Sequence, residues 1–189
     1  MIPHSNIEIF ITAGGKSSRM GQDKGLMLIE KKPMLVHLVD MLHNNNFSFT
    51  VIANSVAYQQ FDFKVVTDLI PDKGPIGALH TAFHYAQKDF VLLLGCDTPF
   101  FPVEAITRLM NEAKYGSVSV ANIMTKIDPL HAVYPVSLKS KVVSCIKNNI
   151  LRMQDLIFQS KYHFVEMDDL TEKYPKGFVN MNEPNDVAI

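Results

Sequence analysis

The sequence predicts an α/β protein: a three-layer αβα, Rossmann-like arrangement with a mostly parallel twisted sheet and helices on both faces. Three observations carry this. Strand-like and helix-like patterns alternate through the first 115 residues, the order that a parallel sheet with crossover helices requires. Phe90 to Leu94 (FVLLL) is an unbroken apolar run, as expected of a central strand covered on both faces. The 189 residues suffice for one substantial core.

The elements follow in order. Ile7 to Thr12 (IEIFIT) reads as a strand. Lys32-Pro33 opens a helix, with Met34, Leu35, Leu38, Val39 and Leu42 at helical spacing, and Asn44 to Asn46 end it. Phe49 to Ala53 is a second strand and Val65-Val66-Thr67 a short third. A helix runs from Gly74-Pro75 to about Gln87, carrying Ile76, Leu79, Ala82, Phe83 and Ala86 on one side. Pro102 to Ala113 is another helix. Beyond it the pattern is less regular. Ser117 to Ala121 and His131 to Tyr134 read as strands, Val136 to Asn148 and Leu151 to Gln159 as helices, and Tyr162 to Met167 and Phe178 to Asn180 as short strands. No repeat, low-complexity tract or linker interrupts them, so residues 1–189 are expected to form a single domain, with 1–115 and 116–189 as its two halves.

Composition excludes some classes. The formal net charge of −1 gives no basic field for nucleic acid or a membrane surface, so any anion site must be a local cluster. The apolar runs are far too short to span a bilayer, and no basic-then-apolar leader pattern opens the chain. Cys96 and Cys145 make neither a disulfide framework nor a metal-ligand spacing. The expected setting is cytoplasmic, with reduced thiols and no nucleic-acid or membrane partner.

In parallel sheets ligands bind beyond the carboxyl ends of the strands. Three conspicuous segments fall there. The first is "ITAGGKSSRMGQDKGLML", Ile11 to Leu28. It lacks the first glycine of a phosphate-binding P-loop, since position 10 is Phe10, and the G-x-G-x-x-G spacing of a dinucleotide site, since position 16 is Lys16. Its glycines still let a ligand approach the main chain, whose N–H groups can form an anion nest. Arg19 offers a planar fork for phosphate oxygens and Lys24 a mobile point charge. The same residues also suit a solvated surface loop.

The second segment, "GCDTPF", places Asp97 just past the buried strand, where a carboxylate can hold Mg²⁺ against a polyphosphate. Asp97-Thr98-Pro99 is equally good turn chemistry. The third is Asp68, which suits a ribose, a base, a metal's water shell, or simply a turn. In "KGPIGAL", Gly77 allows either a flat base against the chain or an ordinary helix start. His80 and His84 have zinc-like spacing, but Thr81 stands where the metalloprotease glutamate belongs. Cys96 has no nearby histidine in sequence, and Ser17-Ser18 lacks a nucleophile elbow.

Ala13-Gly14-Gly15-x-Ser17-x-Arg19-Met20-Gly21-x-Asp23-Lys24-Gly25 resembles the signature loop of the molybdenum cofactor guanylyltransferases, within the nucleotide-diphospho-sugar transferase-like nucleotidyltransferases. Lys32-Pro33-Met34 is similar to the family's "GKP-Leu", with Lys31 where glycine is usual. Gly74-Pro75-Ile76-Gly77, Cys96-Asp97-Thr98-Pro99, Pro129-Leu130-His131-Ala132 and Asn180-Met181-Asn182-Glu183-Pro184 continue the resemblance in order along nearly the whole chain. The Gly14-Gly15 pair, where cytidylyltransferases usually carry "AAG", tilts the resemblance toward GTP.

The resemblance implies transfer of GMP from GTP to molybdopterin with release of pyrophosphate, and Mg²⁺ as cofactor. The nucleotide-binding half would be 1–115 and the pterin or acceptor half 116–189. It implies that Thr12, Ala13, Gly14, Gly15, Lys24, Asn54, Asp68, Gly77 and Asp97 meet GTP, that Asp97 binds the metal, and that Asn180 and Asn182 meet the pterin. Arg19, Lys24 and Asp97 are the expected catalytic residues, with Lys16 as a further cation. GTP and molybdopterin are the expected small-molecule partners, with transient contacts to molybdopterin-delivering or molybdoenzyme-maturation proteins. The rival expectations are a cytidylyltransferase or sugar-phosphate nucleotidyltransferase on the same fold, and a non-catalytic nucleotide-binding regulatory subunit.

Overall fold

A computed structural model describes residues 2–13 and 23–181. The expectations placed on Gly14, Gly15, Lys16, Arg19 and Asn182 therefore lie outside the described residues.

A seven-stranded sheet forms the middle layer, in the order β5-β4-β1-β6-β8-β7-β9. The strands are β1 (Ile7–Thr12), β4 (Phe49–Ile52), β5 (Val65–Val66), β6 (Phe90–Gly95), β7 (Val118–Ile123), β8 (Lys126–Pro135) and β9 (Tyr162–Glu166). Strands β5, β4, β1 and β6 are mutually parallel. β8 runs antiparallel to both β6 and β7, while β9 is parallel to β7. The expected mostly parallel sheet is thus present, with β8 the reversed strand.

Both faces are covered. On one face α1 (Met34–Asn44), α3 (Val103–Asn111) and α6 (Asp168–Lys173) pack Leu35, Leu38, Ile106, Leu109 and Leu170 onto Ile9, Ile11, Leu92 and Leu94. On the other, α2 (Gly74–Tyr85), α4 (Lys139–Lys147) and α5 (Met153–Phe158) pack Leu79, Phe83, Val142 and Leu156 onto Phe10, Val91 and Leu93. All of β6 is buried, which is why its sequence is apolar without alternation. Truncating one of these leucines to alanine costs about 2–5 kcal/mol in such cores.

Three local results differ from the sequence pattern. A two-stranded hairpin, β2 (Leu28–Ile29) with β3 (Lys32–Pro33), precedes α1, turning through Glu30 and Lys31 at φ 50° and 67°. That left-handed geometry is what glycine adopts most readily, which accounts for glycine being usual at position 31 in the resemblance. β8 begins at Lys126, because Met124 and Thr125 close a tight hairpin with β7 that the composition does not advertise. Phe178 to Asn180 is not a strand. Gly177 N–H donates to Tyr174 O at 2.8 Å to close a turn, and the following main chain is tied to the site through Met181 rather than to the sheet.

Candidate active site

The carboxyl ends of four parallel strands form one row. Val66 pairs with Ile52, Ile52 with Thr12, and Thr12 with Gly95. The ladder runs one step further: Ala53 N donates to Val66 O at 3.0 Å, Ala13 N to Ile52 O at 2.9 Å, and Cys96 N to Thr12 O at 3.1 Å. Asp68, Asn54 and Asp97 leave this row just beyond it, and the glycine loop leaves from Ala13 between them. At about 4.8 Å per strand the row spans about 14 Å. β1 is the point at which the chain's crossovers go to opposite sides, where open α/β sheets hold their ligands.

Asp23 is the first described residue after the loop. Asp23 caps the 3₁₀ turn Lys24–Leu26, accepting from Gly25 N at 3.1 Å. Its carboxylate also accepts from the hydroxyl of Tyr58, a fully buried side chain. Burial, then this contact with Asp23, pushes the Tyr58 phenol far up, so it stays protonated and donates to Asp23. Gly25 has no room for a side chain: a Cβ would strike the Tyr58 hydroxyl and lie 3.5 Å from Cys96 Sγ. Cys96 itself is buried, as its reading as a small hydrophobe expects.

Asp97 stands where these pieces meet. Gly95 makes room for it, since a Cβ there would lie 2.7 Å from Asp97 Oδ1 and 3.3 Å from Leu130 Cβ. Burial pushes its carboxyl up; the charge of His131 pulls it down, Asp128 opposes that, and Lys24 pulls it down further. Among the described residues its hydrogen bond comes from its own main-chain amide. A desolvated carboxylate so short of donors is one that a divalent cation would satisfy, so the residues fit the expected Mg²⁺.

Behind it lies a pair the sequence reading did not assign a role. His131 Nδ1 and Asp128 Oδ2 are 2.8 Å apart, and Leu130 N donates to Asp128 Oδ1 at 3.0 Å. Burial opposes the Asp128 charge, yet His131 and these hydrogen bonds hold its carboxyl below the ordinary range. His131 is fully buried and stacks on Phe101 with ring centres 4.1 Å apart.

Asp68 and Asn54 come together at the far end of the row. Asp68 N donates to Asn54 Oδ1 at 3.0 Å, and Asn54 Nδ2 lies 3.5 Å from Asp68 Oδ2. Thr81 Oγ1 donates to Asp68 Oδ1 at 3.1 Å. Burial raises the Asp68 carboxyl despite these bonds. Gly77 lies inside α2, where a Cβ would approach Lys73 Cβ to 3.0 Å and Ile70 O to 3.1 Å. The tight approach at Gly77 is therefore to the chain's own preceding turn.

The C-terminal segment reaches the same place. Thr98 Oγ1 donates to Asn180 Oδ1 at 2.8 Å, and Met181 N donates to Asp97 O at 2.7 Å. Asn180 is thereby set beside Asp97, although they are far apart in sequence. Thr81, Tyr58 and the Asp128–His131 pair were missed as site residues. A hydroxyl on the apolar side of α2 was the available signal for Thr81; Tyr58 sits in the 3₁₀ segment Val56–Gln60, which no periodicity marks.

A family model, "MobA-like NTP transferase domain", matches residues 9–160. The molybdenum cofactor guanylyltransferase of Histophilus somni is 31% identical over 97% of this chain and 95% of its own. That of Haemophilus influenzae is 34% identical over 72% of this chain and 74% of its own. The crystal structure of molybdopterin-guanine dinucleotide biosynthesis protein A from Archaeoglobus fulgidus shares the fold, with a TM-score of 0.80 at 17% identity, covering 96% of this chain and 95% of that one. The chain is a nucleotidyltransferase and belongs to the MobA-like NTP transferase domain family.

Proposed function

We propose that this chain transfers GMP from GTP to the terminal phosphate of molybdopterin, forming the guanine dinucleotide cofactor and releasing pyrophosphate. The observation that carries this reading is the position of Asp97, directly after Cys96, whose amide bonds Thr12 and whose sulfur lies near Gly25, and beside Asn180. The similarity to named guanylyltransferases supports the choice of base and acceptor.

The acceptor phosphate is already ionised near neutral pH and attacks the α-phosphorus in line with the departing pyrophosphate, so no general base is required. The protein's part is positioning and charge neutralisation. Thr12 and Ala13, continuing into Gly14 and Gly15, hold the nucleotide with main-chain groups. Lys24 neutralises phosphate charge, with Arg19 and Lys16 as further cations for the leaving pyrophosphate. Asp68 and Asn54 orient the nucleoside end, with Gly77 in the helix behind them. Asn180 and Asn182 are the residues that would meet the pterin. Asp97 would hold Mg²⁺, which would supply charge neutralisation at the reacting phosphates.

The test is thermal protection. With Mg²⁺ present, GTP at about 100 times its Kd should stabilise the protein by about 2.7 kcal/mol, and CTP and ATP by less at the same concentration. Equal or reversed ranking counts against the guanylyl assignment.

A further inference from the structure

We propose that Thr81 is a positioning residue for the nucleotide, aiming one oxygen of Asp68 at a donor on the nucleoside. The inference rests on the reading of Asp68 as a nucleotide contact. Its basis is an unusual use of a helical threonine. A hydroxyl within a helix ordinarily bonds back to a carbonyl of the preceding turn. Thr81, fully buried in α2, instead bridges to another segment: it donates to Asp68 Oδ1 at 3.1 Å and accepts from Leu69 N at 3.0 Å. Both hydrogen-bonding functions of the hydroxyl are thus spent on the loop that carries Asp68.

The consequence is a carboxylate with two unlike oxygens. Oδ1 is taken by Thr81, and the Asp68 amide is pinned to Asn54 Oδ1 at 3.0 Å. Among the described residues Oδ2 has only the Asn54 amide at 3.5 Å, the limit of a hydrogen bond. Oδ2 therefore keeps acceptor capacity on a residue that is only partly buried and so open to a ligand. It belongs to the same strand-end row as Thr12 and Asp97, so the ligand chemistry that satisfies it is a hydroxyl or N–H of a nucleoside whose phosphates lie toward Asp97. Without the Thr81 hydroxyl, Asp68 would be free to turn away from that donor.

The experiment compares Thr81→Val, which keeps the shape and loses the hydroxyl, with Thr81→Ser, which keeps the hydroxyl. Thr81→Ala replaces the valine variant if that one fails to fold. KM for GTP should rise about tenfold in Thr81→Val with kcat within about twofold, and Thr81→Ser should restore it. Pyrophosphate, which has no nucleoside, should bind wild type and Thr81→Val equally. Adding Thr81→Val to Asp68→Asn should raise KM no further, because the group it aims is already altered. A purely structural threonine would lower the melting temperature and leave KM unchanged, and that result overturns the inference. If wild type uses a different nucleotide, the guanylyl reading fails, and the Thr81 comparison is made with that nucleotide to the same criteria.

Discussion

The amide of Cys96 donates to the carbonyl of Thr12 at 3.1 Å, which seats Asp97 two residues beyond the end of the central strand. The hydrogen bond joins the start of the glycine loop to the start of the acidic turn. Gly25, past the loop's other end, lies near the same place: a Cβ on it would come 3.5 Å from Cys96 Sγ. Asp97 and the start of the glycine loop are thus held together by backbone geometry.

Asp97→Ala should lower kcat about 10²–10³-fold, the usual cost of removing a group that meets the transition-state charge. Circular dichroism should show a folded protein. Near-normal pyrophosphate release in that variant would remove Asp97 from the metal role.

Asp97→Asn should make the metal-free protein more stable at about pH 7. Burial, only partly offset by His131 and Lys24, raises the Asp97 carboxyl above its unfolded value, so the folded chain binds that proton more tightly. Stability is therefore lost as pH rises from the ordinary carboxylate range through the raised folded value, and stays lost above it. Asparagine carries no such penalty. Denaturant melts should show a gap in favour of Asp97→Asn that closes toward about pH 3. Adding Mg²⁺ should narrow it from the wild-type side.

Tyr58→Phe tests the anchor of the loop's return. The substitution keeps the buried ring and removes the donor to Asp23. A hydrogen bond to a charged group contributes about 1.5–3 kcal/mol, so the urea midpoint should fall accordingly. Asp23 would still cap Gly25 but would no longer be tied to the core, so KM for GTP should rise as Lys24 loses its placement. An unchanged midpoint and an unchanged KM would show that Tyr58 does not anchor the loop.

Lys31→Gly should stabilise the protein by about 1 kcal/mol. Lys31 occupies φ 67°, and the cost of a left-handed non-glycine residue exceeds the added entropy of glycine in the unfolded chain. Thermal melts of the two proteins check this, and activity should not change.

What was readable in the sequence follows from what each signal depends on. The unbroken FVLLL of β6 and the spacing of Leu35, Leu38 and Leu42 report burial directly, so the central strands and their helices were found. Asp97 and Asp68 were visible because strand ends are chemically distinctive places. The hairpins at Glu30-Lys31 and Met124-Thr125 were not visible, because they place ordinary side chains at positive φ. Phe178 to Asn180 has strand composition, but its partners are Thr98 and Asp97, distant residues that no local pattern names. Thr81 and Tyr58 were hidden for the same reason: each acts on a residue well removed along the chain.

The most direct measurement is product formation from α-labelled nucleotide. Purified protein, Mg²⁺ and molybdopterin are incubated with labelled GTP or CTP, and the pterin fraction is separated and counted. Label should enter the pterin from GTP, one pyrophosphate should appear per label transferred, and CTP should give little. Pterin that stays unlabelled with GTP, or that takes label from CTP in preference, would contradict the account.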